Sequence, residues 1–220
     1  MTKAEEQREL KRLAKLEAER ARIETMKEFE YKYADCEFIC GIDEVGRGPL
    51  AGPVYAAAVI LPKDKEILYL NDSKKLSEKK REELYDEIME KAVAVGIGQA
   101  SWERIDEINI KQATLEAMRM AVGALSVQPD MLLVDAEHIP DVNIRQVGII
   151  KGDARSISIA AASIIAKVTR DRVMCEYAKE YPEYDFAGNK GYGTAVHIDA
   201  LKKYGPCPIH RRTFIKNFVS

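Results

Sequence analysis

An apolar run that ends in two adjacent acids and a glycine-flanked arginine constrains this chain more than any other stretch: Gly41-Ile42-Asp43-Glu44-Val45-Gly46-Arg47-Gly48-Pro49. Neighbouring carboxylates repel unless something positive sits beside them. Glycine on both sides of Arg47 lets a backbone come close to a ligand. A strand that delivers acids to a phosphate- or cation-binding turn meets both conditions. Successive strand side chains face opposite ways, so Asp43 and Glu44 share one site only if the strand ends or bends there.

Two further acids follow apolar runs. Asp135 comes directly after Met131-Leu132-Leu133-Val134, and Asp153 after Ile149-Ile150-Lys151-Gly152. Open α/β sheets collect ligands outside the carboxyl ends of their strands. One strand-end acid by itself usually caps a helix or a turn; four in this pattern point to a shared site. Clustered carboxylates suit hard divalent cations, which prefer oxygen ligands and keep open positions for phosphate. Two such ions can activate a water and stabilise the leaving oxygen of a phosphodiester. No His pair stands at the spacing of a zinc hydrolase.

The remaining pattern is that of a globular α/β chain. Its 220 residues, 46% hydrophobic and 32% charged, suit one domain with an appendage. Residues 1–35 hold nine acids and nine bases and neither Gly nor Pro, which predicts a charged helix with a thin apolar stripe, packed loosely on the body. The domain proper is expected over residues 36–220. Strands are predicted at 38–43, 54–61, 92–100, 131–134 and 144–150. Helices are predicted from Ser77 to about Lys91 and over 109–126, 156–181 and 194–204. Net charge is −2, which by itself announces no nucleic-acid binder. From Asp185 onward, however, Lys190, Lys202, Lys203, Arg211, Arg212 and Lys216 outnumber Asp185 and Asp199, enough for a local phosphate-binding face. Cys36 and Cys40 have no second close pair to complete a zinc site, and Cys36, Cys40, Cys175 and Cys207 read as reduced thiols in a reducing cytoplasm. No signal peptide and no membrane-spanning run is found, so a cytoplasmic protein is expected.

Residues 41–61, GIDEVGRGPLAGPVYAAAVIL, closely resemble the opening of the type 2 ribonuclease H family, ribonuclease HII. LLVDA around Asp135 and KGDARSISIAAASIIAKVTRDR around Asp153 match the same family, and the likeness runs from about Phe38 to Phe214. The resemblance implies an α/β fold: a ribonuclease H-like mixed β-sheet flanked by helices, with a helical C-terminal part. It implies that Asp43, Glu44, Asp135 and Asp153 are catalytic and hold Mg²⁺ or Mn²⁺ in a two-metal site. It implies cleavage 5′ to a ribonucleotide, in RNA–DNA hybrids or in duplex DNA with embedded ribonucleotides, leaving a 3′-hydroxyl and a 5′-phosphate. Nothing demands more than a monomer, and no membrane partner is expected.

Substrate contacts carry over in the same way. Gly46, Arg47 and Gly48 correspond to the segment that meets the 2′-hydroxyl, the one group that marks a ribose. Tyr192, in Gly191-Tyr192-Gly193-Thr194, corresponds to a ring packed on the following deoxyribose. Lys74 in Asp72-Ser73-Lys74 is the expected phosphate contact, with Ser73 helping. Thr169 and Arg170 are candidates to line the groove. His197 fits the family's GYGTxxH pattern and reads as a packed histidine, while His138 and His210 receive no role. Ala136 departs from the family, where glycine is common after this Asp. Ribonuclease HIII is the nearest rival, but it usually lacks the Gly-Arg-Gly turn and carries a folded N-terminal platform. A silent hybrid-binding protein would gain nothing from four negative charges near phosphates.

Overall fold

The computed structural model describes residues 2–219. Five strands form one mixed sheet in the order β3-β2-β1-β4-β5. They are β1 (Ile39–Val45), β2 (Val54–Ile60), β3 (Ala94–Ala100), β4 (Met131–Asp135) and β5 (Arg145–Ile149). The first three pair antiparallel, and β4 and β5 run parallel to β1. Helices α1 (Lys3–Thr25), α2 (Glu28–Lys32), α3 (Glu78–Lys91), α4 (Trp102–Gly123), α5 (Ile157–Glu180), α6 (Phe186–Asn189) and α7 (Ala195–Tyr204) complete the chain. Among the described residues no helix is long and apolar enough to cross a membrane.

Alternation along β1 assigns its two faces. Cys40 and Ile42 pack with Ala113, Ala117 and Met118 of α4. Gly41 and Asp43 face α5. A Cβ at Gly41 would lie 2.0 Å from the carbonyl carbon of Ser158, so glycine is what lets α5 touch the strand backbone. Ala160, Ala161 and Ala162 continue this close seam against Ala57 and Val59 of β2.

The predicted elements all form, with shifted ends where side chains cap or break them. The expected N-terminal helix splits at Met26. Its first half is solvated, with Leu10 and Leu13 exposed, but Ile23 and Met26 join the α5 core and Phe29 and Tyr33 pack under β4. Loose packing therefore describes only the first half. α4 begins at Trp102 rather than at 109, because Ser101 caps it by accepting from the Arg104 N–H at 3.3 Å. Asn109 then interrupts it at φ 68°, and its side chain accepts from the N–H groups of Lys111 and Gln112, starting a second helical segment. Strand β1 does not end at Asp43: it runs on through Glu44 to Val45.

A third cluster, formed by the chain after β5, holds the glycine-rich loops. Tyr184, Phe186, Ala200, Leu201 and Ile209 pack there with Leu50 and Ala51. Inside it His197 and His210 are buried, with their Nε2 atoms 2.9 Å apart. The Cys207 N–H donates to His210 Nδ1 at 3.0 Å, which leaves the His210 proton on Nε2. That proton goes to His197 Nε2, and His197 Nδ1–H then donates to the Tyr192 carbonyl at 2.9 Å. Two neutral imidazoles thus tie the Tyr192 backbone to the C-terminal segment.

Two predictions follow from this packing. Burial, aided by the neighbouring His197, pushes His210 down to about 4. The unfolded imidazole takes up a proton near pH 6.5. Between these limits the unfolded state binds a proton that the native state refuses, so stability drops as pH falls from about 6.5 toward 4. Melting temperatures of the parent and of His210→Gln, compared across that range, should converge as pH falls; a constant difference would count against the neutral pair. The second concerns Ala136, which ends β4 at φ 53° while its N–H donates to the Ile149 carbonyl. Ala136→Gly should relieve the left-handed strain and stabilise the protein by about 0.5–1 kcal/mol, after the entropy cost of glycine, as read from a denaturant midpoint.

Candidate active site

Register brings the acids together. Ile42 pairs with Val134 in the parallel β1–β4 ladder, so Asp43 and Asp135 follow at the same level and on the same α5-facing side. Glu44, one residue on, faces the other way, yet it stands close enough to Asp135 to feel its charge. Asp153 is not on a strand. It sits in a short 3₁₀ turn, Gly152–Ala154, between β5 and α5. The Gly152 N–H donates to Asp135 Oδ1 at 2.7 Å and locks that turn against the end of β4.

The four carboxyls lie above their ordinary values. Burial is the largest cause for each. For Asp43 the charges of Glu44 and Asp135 add to it, against the Ser163 hydroxyl and the Glu44 N–H, which lower it. Arg47 opposes the rise at Glu44, and the Gly152 N–H and Lys74 oppose it at Asp135. Asp72 and Asp135 push Asp153 further up. Lys74 is shifted the other way. Burial works against its charge, but Asp72, Asp43 and Asp153 offset that and hold it above its usual range. One lysine and one arginine therefore face an excess of carboxylates.

Among the described residues no three acids, histidines or cysteines are drawn together into a finished metal cage. The donor set nevertheless fits a hard divalent cation. It consists of carboxylates alone, held up by burial and mutual repulsion, and added positive charge would relieve both.

The predicted substrate contacts divide into three groups. Arg47, Gly48 and Tyr192 meet at the mouth of the site. Tyr192 is 40% exposed, and a Cβ built on Gly48 would lie 3.6 Å from its Cε1 atom. The Arg47 guanidinium turns back toward the acids, 3.4 Å from Glu137 Oε1 and 3.6 Å from Glu44 Oε1. Lys74 faces the carboxylates, whereas Ser73 is buried behind it and its Oγ accepts from Ser163 Oγ at 2.9 Å. Ser73 thus braces the loop, its Oγ within hydrogen-bond distance of Ser163 Oγ on α5 and turned away from solvent. Gly46, at φ 97°, is buried against the Arg170 side chain, which a Cβ would meet at 2.4 Å.

Arg170 overturns an expectation. It does not line a groove; it is fully buried and donates to the carbonyls of Pro53, Lys190 and Ala51. The Thr169 hydroxyl is also buried, with no hydrogen-bond partner among the described residues. Arg211, expected on a basic face, is equally interior. Sequence reasoning also missed Glu137 and Asp72 beside the acids, and His210 behind Tyr192. Their only signal was proximity to the motifs, since each owes its position to a turn or a loop rather than to a periodic element.

Comparison with known proteins agrees with this geometry. The family model described as Ribonuclease HII matches residues 40–217. A ribonuclease HII of Lachnoclostridium phytofermentans is 69% identical over 95% of this chain and 82% of its own length. One from Enterococcus faecalis is 60% identical over 96% of this chain and 84% of its own. The crystal structure of ribonuclease H2 from Pyrococcus horikoshii superposes with a TM-score of 0.68 at 27% identity, covering 80% of this chain and 93% of that one. With the acids, the Gly-Arg-Gly turn and the mixed sheet in place, the chain belongs to the ribonuclease HII family of nucleases.

Proposed function

We propose that this nuclease cuts the phosphodiester on the 5′ side of a ribonucleotide, in RNA–DNA hybrids and in DNA duplexes with an embedded ribonucleotide, leaving a 3′-hydroxyl and a 5′-phosphate. One observation carries the reading: Asp43 and Asp135 stand level on neighbouring strands, beside a turn whose Gly48 lies against the exposed ring of Tyr192. Acids, sugar-reading turn and stacking ring thus share one mouth. Residues 36–220 are the catalytic domain in this reading, and residues 1–35 are an appendage.

Asp43, Glu44, Asp135 and Asp153 would hold Mg²⁺ or Mn²⁺. When bound, two such ions would supply an activated water and charge neutralisation at the leaving oxygen. The chain's own groups do the rest. The Gly46-Arg47-Gly48 turn presents backbone to the 2′-hydroxyl without side-chain obstruction. Tyr192 offers a flat apolar face to the next sugar, whatever base it carries. Lys74 holds a phosphate beside the acids, braced by Ser73 from behind. Duplex DNA alone lacks the 2′-hydroxyl and would bind through phosphate contacts without being positioned. The biological setting proposed is the cytoplasm, as a monomer, in removal of misincorporated ribonucleotides and of RNA primers.

A duplex containing one ribonucleotide tests the reading. Incision is expected immediately 5′ to it with Mg²⁺ or Mn²⁺, and none with chelator. Cutting confined to long hybrids would overturn the single-ribonucleotide part. Asp135→Asn should lower incision by at least about a hundredfold, more than is lost with an outer-shell partner of a metal site. The same variant should keep or improve its affinity for the duplex, because one repelling charge is gone. Its metal-free form should melt no lower than the parent, and added Mg²⁺ should raise its melting temperature less than the parent's. Full incision by the variant would remove Asp135 from the site.

A further inference from the structure

Two arginines, Arg170 and Arg211, are wholly buried, and among the described residues neither forms an ion pair. Burying a guanidinium without a carboxylate is costly unless its N–H groups are well occupied. Both are occupied by backbone carbonyls, all but one of them in the stretch 46–53. Arg170 donates from Nε to Pro53 O at 3.0 Å and from Nη2 to Ala51 O at 3.1 Å, with Nη1 on Lys190 O at 2.9 Å. Arg211 donates from Nε to Gly52 O at 2.9 Å, from Nη1 to Arg47 O at 3.0 Å and from Nη2 to Gly46 O at 2.6 Å. Burial and the neighbouring Arg170 charge pull Arg211 down to about 9, a measure of how poorly its charge is compensated.

The Arg211 contacts fix a direction as well as a position. In a planar trans peptide the C=O and the following N–H point opposite ways. Among the described residues no peptide is cis. Drawing the Gly46 and Arg47 carbonyls inward therefore turns the N–H groups of Arg47 and Gly48 outward. Both residues are exposed, and among the described residues neither N–H donates to another protein group. Two successive N–H groups on one side of a turn make a concavity for a lone pair or an anion. This pair opens beside Tyr192.

We propose that Arg211, backed by Arg170, is the positioning residue that aims the Arg47 and Gly48 N–H groups at the substrate sugar and so sets the preference for a ribonucleotide. The proposal rests on the sugar-reading role given above to the Gly-Arg-Gly turn. Only arginine suits the position: its planar fork reaches three carbonyls at once, whereas the single ammonium of lysine does not.

Arg211→Lys tests it, since charge is retained and the fork is lost. Affinities are measured under chelator for two duplexes of one sequence, one carrying a single ribonucleotide and one all-DNA. The parent's preference for the ribonucleotide duplex should shrink roughly tenfold in the variant, the scale of one or two lost hydrogen bonds, while all-DNA affinity stays within about twofold. An unchanged preference would overturn the proposal. So would an equal fall for both duplexes, which marks general loosening of the fold. A parent without any preference would instead sink the reading of the turn, whatever the variant does. The parent also permits a test that needs no folded variant: the Arg47 and Gly48 amide signals should shift on titration with the ribonucleotide duplex and not with the all-DNA one. Amides that respond alike to both duplexes would refute the aim assigned to Arg211.

Discussion

Helix α5 lies directly on the backbone of β1, with only the missing side chain of Gly41 between them. That contact is too close for any other residue, and the alanine seam after it keeps the spacing short over β2. Three supports of the site are hung on this helix. Its Ser163 stands by Asp43 and braces Ser73, its Arg170 splints the glycine-rich loop, and its Met174 enters the C-terminal cluster. Interiors are close-packed and transmit strain, so an error of one methyl group at this seam would be felt at all three places. The site's geometry is therefore set by packing well away from its charges.

That division of labour suits a site that works against the fold. Four carboxyls pushed above their ordinary values each favour the unfolded chain at neutral pH, where they would ionise more readily. The two buried arginines add uncompensated charge of the opposite sign on the other side of the Gly-Arg-Gly turn. The turn thus lies between an acidic pocket and a cationic support, and its peptides are held by the cationic side. Stability comes from the apolar residues of the sheet's two faces, packed on α4 and on α5; Asp43 and Asp135 stand at one end of the α5 face.

The sheet, its helices and the acid set were legible because each leaves a local mark. Apolar runs ending in acids gave β1 and β4, and Ser77, Ser156 and Thr194 cap the helices expected after them. Less legible were features that depend on partners distant in sequence. Arg170 and Arg211 look like surface cations until the carbonyls of residues 46–53 are seen around them. His210 looks idle until it meets His197 and Cys207. Ser73 looks available to substrate until Ser163 takes its hydroxyl. Continuation of β1 past Asp43 to Val45 was also hidden, because the glycines that follow serve the loop after the strand, where Gly46 makes room for Arg170.

The N-terminal segment joins this arrangement through α5 rather than through the site. The Ile157 N–H donates to Met26 O, and Glu30 Oε1 accepts from Ser156 Oγ at 2.6 Å and from the Ser158 N–H at 3.1 Å. An acid at the first turn of a helix satisfies orphan N–H groups and complements the helix dipole. Here it does so at the turn that presses on Gly41. Its second oxygen is buried without a partner among the described residues, so part of that stabilisation is given back. Residues 26–33 lie outside the family-matched segment, yet they secure the start of the helix on which the acids, the Gly-Arg-Gly turn and the C-terminal cluster are aligned. A change there would reach the site through the start of α5, without touching any of the four site carboxylates.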